Sequence, residues 1–325
     1  MKFDELSQAG NQSECSTALS CTPLSETFGV LVSGVDLSKN VPETMKSALK
    51  EALFKHQVLL FRHQNLSEDQ QVQFAQIFGH CRVLWQNPHY PSKNDLVHYL
   101  SNVDRKGKPI GRHPDPGSTH WHSDGSWATE PSRATVLGAI QVPEGEGTTH
   151  FANMYRLYDD LEQRTKDYFE TLKAEHNFEI ARAARQQRLP SQWFRSEADW
   201  RSILKQLKWW TSVMGRRFRD GAVYHPVVRP HPETGRPALF IGDHAWRIAN
   251  KFWPTGVKLM KEINSLEFNS EATYTHQWQP GDMLIWDNGS VLHKVGTYNI
   301  LNQVRIMRRC VVESSEQPKR RGRDT

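Results

Sequence analysis

Short runs rich in β-branched and aromatic residues gather towards both ends of this chain, and a long, charged, helical-looking stretch separates the two groups. No other feature constrains the fold as much. FGVLVSGVDL (28–37), VLLF (58–61) and the alternating stretches 121–127 and 134–142 read as strands of the first group. Segments 224–228, 238–241, 274–278, 283–286 and 304–312 make up the second. A doubly wound sheet would alternate strand and helix throughout. Strands on either side of an insertion instead predict a mainly β fold with added α: an antiparallel double-stranded β-helix, or jelly roll, decorated by helices.

Helical spacing of Met45, Leu49, Leu53 and Phe54 predicts a helix before the 58–61 strand. Ser67 three residues before Gln70 forms a capping box, opening a second helix that runs through Phe78 and closes at Gly79. A loop loaded with Gly, Pro, Asp and His covers 104–119. Leu157, Leu161, Tyr168 and Leu172 repeat near helical spacing, and the Arg- and Trp-rich sequence onward to 221 reads as a mostly helical insertion. Its part from about 181 to 221 is expected to form a lid in which substrate specificity is written. Residues 1–22 read as a flexible leader, 23–316 as a single domain and 317–325 as a basic flexible tail.

Composition excludes several classes. Among 325 residues, 37% are hydrophobic and 24% charged, as in soluble globular proteins rather than disordered or fibrous ones. No window offers the roughly 18 apolar residues of a membrane helix, and mean hydropathy is -0.67. The first ten residues lack a secretory apolar run, so a cytoplasmic location is expected. Four cysteines (Cys15, Cys21, Cys81, Cys310) have no zinc-like spacing and imply no disulfide framework. A net charge of +5 does not choose between nucleic acid and a small anion. The basic run KRRGR (319–323) reads as a solvated tail, and no aromatic-interleaved basic motif for nucleic acid is present. Neither G-x-G-x-x-G nor the P-loop pattern occurs.

The densest reactive cluster is THWHSDG (119–125), where His122 and Asp124 sit two apart and would share one face of a strand. His293 is the candidate third ligand, returned along a neighbouring strand by the turns QPGD (279–282) and DNG (287–289). Two imidazoles and a carboxylate on one side of an iron leave three positions open, as oxygen activation with a bidentate cosubstrate requires. Period-two alternation in VRIMRR (304–309) places Arg305 and Arg309 on one face, about 13 Å apart at strand rise. Guanidinium groups pointing inward call for anions, and Arg suits bidentate carboxylate recognition.

Together these segments resemble the iron(II)- and 2-oxoglutarate-dependent dioxygenases of the taurine dioxygenase and 2,4-dichlorophenoxyacetate dioxygenase type. The resemblance rests on FGVLVSGVDL, VLLFRHQNLSEDQQVQFAQIFG, THWHSDGSW, VPEGEGTTHFANMYRLYDDL, HPVVRPHPETGRPALFIGDHAWRI, GDMLIWDNGSVLHKV and QVRIMRRCVV. It implies His122, Asp124 and His293 as iron ligands, Thr149 and Arg305 as binders of the 2-oxoglutarate carboxylate, and Arg309 as anchor of a substrate anion. Trp127 would be an aromatic pocket wall, with Ser118 and Asn102 on loops facing the same site.

The sequence departs from the family pattern at GEGTT (145–149) and at Gly289 after WDN. Neither removes a ligand. The first leaves Thr148 and Thr149 as alternatives, and register with FAN (151–153) favours Thr149. The implied reaction is O2-dependent oxidation, by default hydroxylation, of a small anionic substrate with release of succinate and CO2. Nucleic acid and membrane are not expected partners, and homo-oligomeric assembly is left open. Two other readings compete: a cupin-type metalloenzyme built on His120, His122 and His293 without 2-oxoglutarate, and a non-catalytic family member.

Overall fold

A computed structural model describes residues 19–185 and 200–314. Most of the expected leader, the whole expected tail and the middle of the expected lid lie outside these residues.

The chain opens with β1 (Ser20–Pro23) and β2 (Val30–Ser33), then α1 (Glu43–His56), β3 (Val58–Phe61), α2 (Glu68–Gln76) and β4 (His98–Ser101). Residues 20–22 were expected within the leader, yet β1 pairs antiparallel with β2, and the buried Leu19 and Cys21 tie it to the core. The Ser67/Gln70 capping box is present in both directions and starts α2 as anticipated. Next come β5 (Ser132–Gln141), β6 (Thr149–Asn153), α3 (Met154–Asp159), α4 (Gln163–Glu170), β7 (Lys173–His176), α5 (Phe178–Arg185) and α6 (Trp200–Asp220). The chain continues through β8 (Val223–Pro226), β9 (Val228–Pro230), β10 (Pro237–Leu239), β11 (Ala245–Ile248) and α7 (Trp253–Ile263). It ends with β12 (Thr273–His276), β13 (Met283–Asp287), β14 (Val291–Val295) and β15 (Ile306–Glu313).

Seven strands form the major sheet in the order β1-β2-β3-β13-β5-β15-β4, antiparallel except for the β2/β3 pair. A second sheet has the order β12-β6-β14. Phe151 of β6 and Val291 of β14 pack with Leu137, Leu284, Trp286 and Met307 of the major sheet, filling the space between the two layers. On its other face the major sheet is covered by α1 and α2 through Leu49, Leu53, Val72 and Phe74. This is the β-rich, helix-decorated fold expected.

Two expectations fail locally. The 121–127 stretch is no strand: a turn takes over after a single bridge at His122, because Gly125 adopts φ 71° and reverses the chain. Within the stretch read as helical lies β7, held between β8 and β11. Its Glu175 is fully buried and meets the guanidiniums of Arg217 (α6) and Arg247 (β11), so a tertiary ion cluster overrides weak strand propensity. Cys21 is disulfide-bonded, against the expectation of no disulfide, whereas Cys81 and Cys310 are free. No helix among the described residues is long and apolar enough to cross a membrane.

Candidate metal centre and substrate cavity

The site starts from a main-chain contact. His122 N–H donates to the His293 carbonyl at 3.1 Å, and His293 N–H donates to the His122 carbonyl at 2.9 Å. Reciprocal bonding of this kind brings the two side chains close, and the ring centroids lie 4.2 Å apart. The turn at Gly125 then swings Asp124 against both rings. A side chain at Gly125 would collide with Ser132, so glycine is required by space as well as by φ. Asn288 fixes the turn: its carbonyl accepts from the Ser123 hydroxyl at 2.7 Å, and its Oδ1 accepts from Trp286 Nε1 at 3.1 Å.

One ligand atom from each of His122, Asp124 and His293 falls within 4.8 Å of the others, the one metal-capable group among the described residues. All three side chains are buried. His122 Nδ1 lies 2.8 Å from the His120 carbonyl, so Nδ1 carries the proton and Nε2 presents its lone pair. Asp124 Oδ2 accepts from the Thr135 hydroxyl at 2.7 Å.

Burial pushes the Asp124 carboxyl up, but Arg309, His293 and His122 outweigh it and hold the group well below the usual carboxylate range. Arg309 Nη1 is 3.6 Å from Asp124 Oδ1. Burial, reinforced by His122, keeps His293 neutral. An ionised Asp124 and a neutral His293 are the states in which each would ligate a metal. Two imidazoles and one carboxylate suit a divalent iron and leave its other positions free.

A cavity of about 870 Å³ opens onto His122 and Asp124. Arg309, Ser118 and Trp127 line it. Trp127 stands 4.9 Å from Phe178 and 4.7 Å from His244 between ring centroids, forming an aromatic wall. The Ser118 hydroxyl donates to the Asp115 carbonyl at 2.7 Å. Asn102 departs from expectation. It is fully buried, absent from the lining, and spends its amide on main chain: Oδ1 accepts from Arg305 N–H at 2.8 Å, and Nδ2 donates to the carbonyls of Gln303 at 2.8 Å and Ile300 at 3.3 Å. It braces Arg305 instead of facing the cavity.

Arg305 and Thr149 are absent from the cavity lining, and both are about 1% exposed. Arg305 Nε donates to the Gly147 carbonyl at 3.2 Å, while its Nη2 has no hydrogen-bond partner. Burial lowers the Arg305 guanidinium to about 10, so it remains cationic at neutral pH. The Thr149 hydroxyl faces inward and accepts from Trp278 Nε1 at 2.9 Å. Thr148 instead packs against Gly296 and His150. His120, central to the cupin alternative, is exposed, close to the Thr119 hydroxyl at 3.2 Å, and not part of the metal-capable group.

Sequence reasoning missed Trp85, His98, Phe178, Arg182 and His244, all of which line the cavity. Phe178 and Arg182 share α5, and the others lie on separate segments whose convergence has no local signature. His244 alone falls inside a motif carrying the resemblance.

The family model for the Taurine catabolism dioxygenase TauD, TfdA family matches residues 20–311. This chain belongs to that family. Among TauD, TfdA relatives, the (S)-phenoxypropionate/alpha-ketoglutarate-dioxygenase of Sphingobium herbicidovorans is 29% identical, with 90% of this chain and 94% of the relative covered. The alpha-ketoglutarate-dependent 2,4-dichlorophenoxyacetate dioxygenase of Cupriavidus pinatubonensis is 30% identical, with 86% and 92% covered. A solved structure of AAD-2 in complex with Mn(II) and N-oxalylglycine is 28% identical, covers 91% of this chain and 99% of its own, and superposes with a TM-score of 0.73. Membership makes the chain an Fe(II)- and 2-oxoglutarate-dependent dioxygenase using O2, and its His-Asp-His group fits that metal.

Proposed function

We propose that the chain oxidises, by hydroxylation in the default case, a small organic anion in the cavity beside Asp124, converting 2-oxoglutarate to succinate and CO2. One observation carries this reading: His122 and Asp124 of the buried metal-capable group and the Arg309 guanidinium, 3.6 Å from Asp124 Oδ1, line the same cavity. His122 Nε2, Asp124 and His293 Nε2 would hold Fe(II), which supplies oxygen activation when bound. Arg305 and Thr149 would bind the distal carboxylate of the cosubstrate. Arg309 would hold the substrate anion, and Trp127 with Phe178 would enclose its organic body.

The protein's own contribution is placement and dryness. Thr135 and Arg309 orient the Asp124 carboxylate, and the His120 carbonyl orients the His122 ring. The aromatic wall excludes water from the reacting C–H bond and restricts the substrate's poses. A cytoplasmic location, a single domain that includes β1, and a specificity-determining lid over about 181–221 complete the proposal.

The test is to add Fe(II) and 2-oxoglutarate anaerobically to the purified apoprotein and record the weak visible charge-transfer absorption. A band that is lost in Asp124→Ala and His293→Ala is expected. Bound iron without a band would refute the cosubstrate assignment. Carboxylates, sulfonates, sulfate esters and phosphonates are then screened by their perturbation of the band. 2,4-Dichlorophenoxyacetate and (S)-phenoxypropionate come first, since relatives are named for them.

A further inference from the structure

Three buried hydrogen-bond donors on neighbouring segments have no acceptor among the described residues. Arg305 Nη2, Tyr298 Oη and His113 Nε2 are all buried and unpartnered. His113 Nδ1 accepts the Asp115 N–H at 3.1 Å, so in the neutral ring the proton sits on Nε2 and makes that atom a donor. The tyrosine hydroxyl is likewise free to donate. The His113 and Tyr298 rings lie 5.8 Å apart, and both residues sense the Arg305 charge.

Asn102 explains why they meet. Its side chain binds the Arg305 N–H and the carbonyls of Ile300 and Gln303, and its own carbonyl accepts the Ile110 N–H at 2.8 Å. A single residue therefore draws the 110–113 loop and the 298–303 loop against the start of β15. Gly147 N–H donates to the Thr297 carbonyl at 3.1 Å, adding the segment that leads to Thr149.

A buried donor left unpaired is costly, and three around one guanidinium define a place for an anion with several lone pairs. A carboxylate has four such sites in two oxygens. We propose that His113 and Tyr298 donate, beside Arg305, to the distal carboxylate of 2-oxoglutarate, and so set the preference of this chain for a dicarboxylic over a monocarboxylic keto acid. The inference rests on the proposed role of Arg305. It adds two residues that neither the motifs nor the family match assigns.

The experiment measures anaerobic binding of 2-oxoglutarate and of pyruvate to the Fe(II)-loaded protein by titration of the charge-transfer absorption, with calorimetry as a second readout. Pyruvate keeps the keto acid end and lacks the distal carboxylate. Tyr298→Phe is expected to weaken 2-oxoglutarate by about tenfold, the effect of one hydrogen bond to a charged group, and to leave pyruvate unchanged. His113→Asn keeps an acceptor near the position of Nδ1 and deletes the Nε2 donor, so it should behave in the same way. His113→Gln keeps a donor near Nε2 and should restore most of the affinity.

Unliganded Tyr298→Phe should melt no lower than wild type, since the hydroxyl it deletes is unpaired. Equal loss for both keto acids, or no loss for either in both variants, overturns the assignment of His113 and Tyr298. A wild-type protein that does not prefer 2-oxoglutarate over pyruvate overturns the Arg305 reading beneath it, and the two failures are distinguishable.

Discussion

Replacing Thr135 by valine isolates the support given to the metal-binding carboxylate. Thr135 is fully buried on β5, and valine matches its shape and strand preference. Its hydroxyl donates to Asp124 Oδ2 at 2.7 Å and accepts from Asn288 Nδ2 at 3.0 Å. A hydrogen bond to a charged group contributes about 1.5–3 kcal/mol, equivalent to roughly one to two pK units at 1.36 kcal/mol each. Asp124 starts well below the usual carboxylate range because Arg309 and two imidazoles surround it, so it stays ionised at neutral pH in the variant. The loss therefore appears as misorientation, and Fe(II) affinity should fall by about 10- to 100-fold, the usual effect of removing a group that orients a ligand. Freeing the Asn288 amide should also destabilise the metal-free protein by about 1–3 kcal/mol. Anaerobic Fe(II) titration and thermal melting read the two effects separately. Fe(II) affinity within about twofold of wild type would refute the idea that this hydroxyl orients the ligand.

Other predictions follow from the same geometry. Arg309→Ala should weaken the substrate anion by about tenfold or more while 2-oxoglutarate binding is kept; titrations in which cosubstrate affinity is lost instead would exchange the roles of Arg305 and Arg309. Gly125→Ala forces a residue with a Cβ into φ 71° and against Ser132, so it should destabilise by more than the roughly 1–2 kcal/mol of the left-handed conformation alone and weaken Fe(II) binding. Wild-type metal affinity in that variant would mean Asp124 is placed by something other than this turn. Burial, joined by Arg309, pushes His98 down to about 4, and burial likewise lowers His176, His225, His276 and His293. The unfolded chain takes up these protons near pH 6.5 and the folded chain does not, so stability is full above about pH 7 and declines from there towards pH 4. A melting temperature constant down to pH 5 would show that the folded protein accepts those protons.

Where local pattern decided structure, the sequence was readable. VLLF (58–61) becomes β3 with all four residues buried, and the Ser67 capping box becomes the start of α2. His122, Asp124 and His293 were legible as a set, but the reason for their convergence was not. Two residues on a strand face were expected, whereas a reciprocal main-chain bridge and a glycine turn do the work. Short strands such as β6 and β7 escaped notice because pairing, not propensity, makes them. Asn102 was placed near the right machinery with the wrong task, since an amide that binds main chain 203 positions away leaves no trace in its neighbours. His113 and Tyr298 were silent for the same reason.

The strand order of the major sheet carries a consequence for how the protein is made. β13 at its centre joins β3 to β5, and β5 pairs only with β13 and β15. On the ribosome, β1, β2 and β3 can pair with one another, but β5 stays unpaired until β13 is made. His122 and Asp124 leave the exit tunnel long before His293, Arg305 and Arg309, which arrive with the closing strands. A chain that stops before β15 carries all three candidate ligands, yet has neither a completed major sheet nor Arg309 beside Asp124.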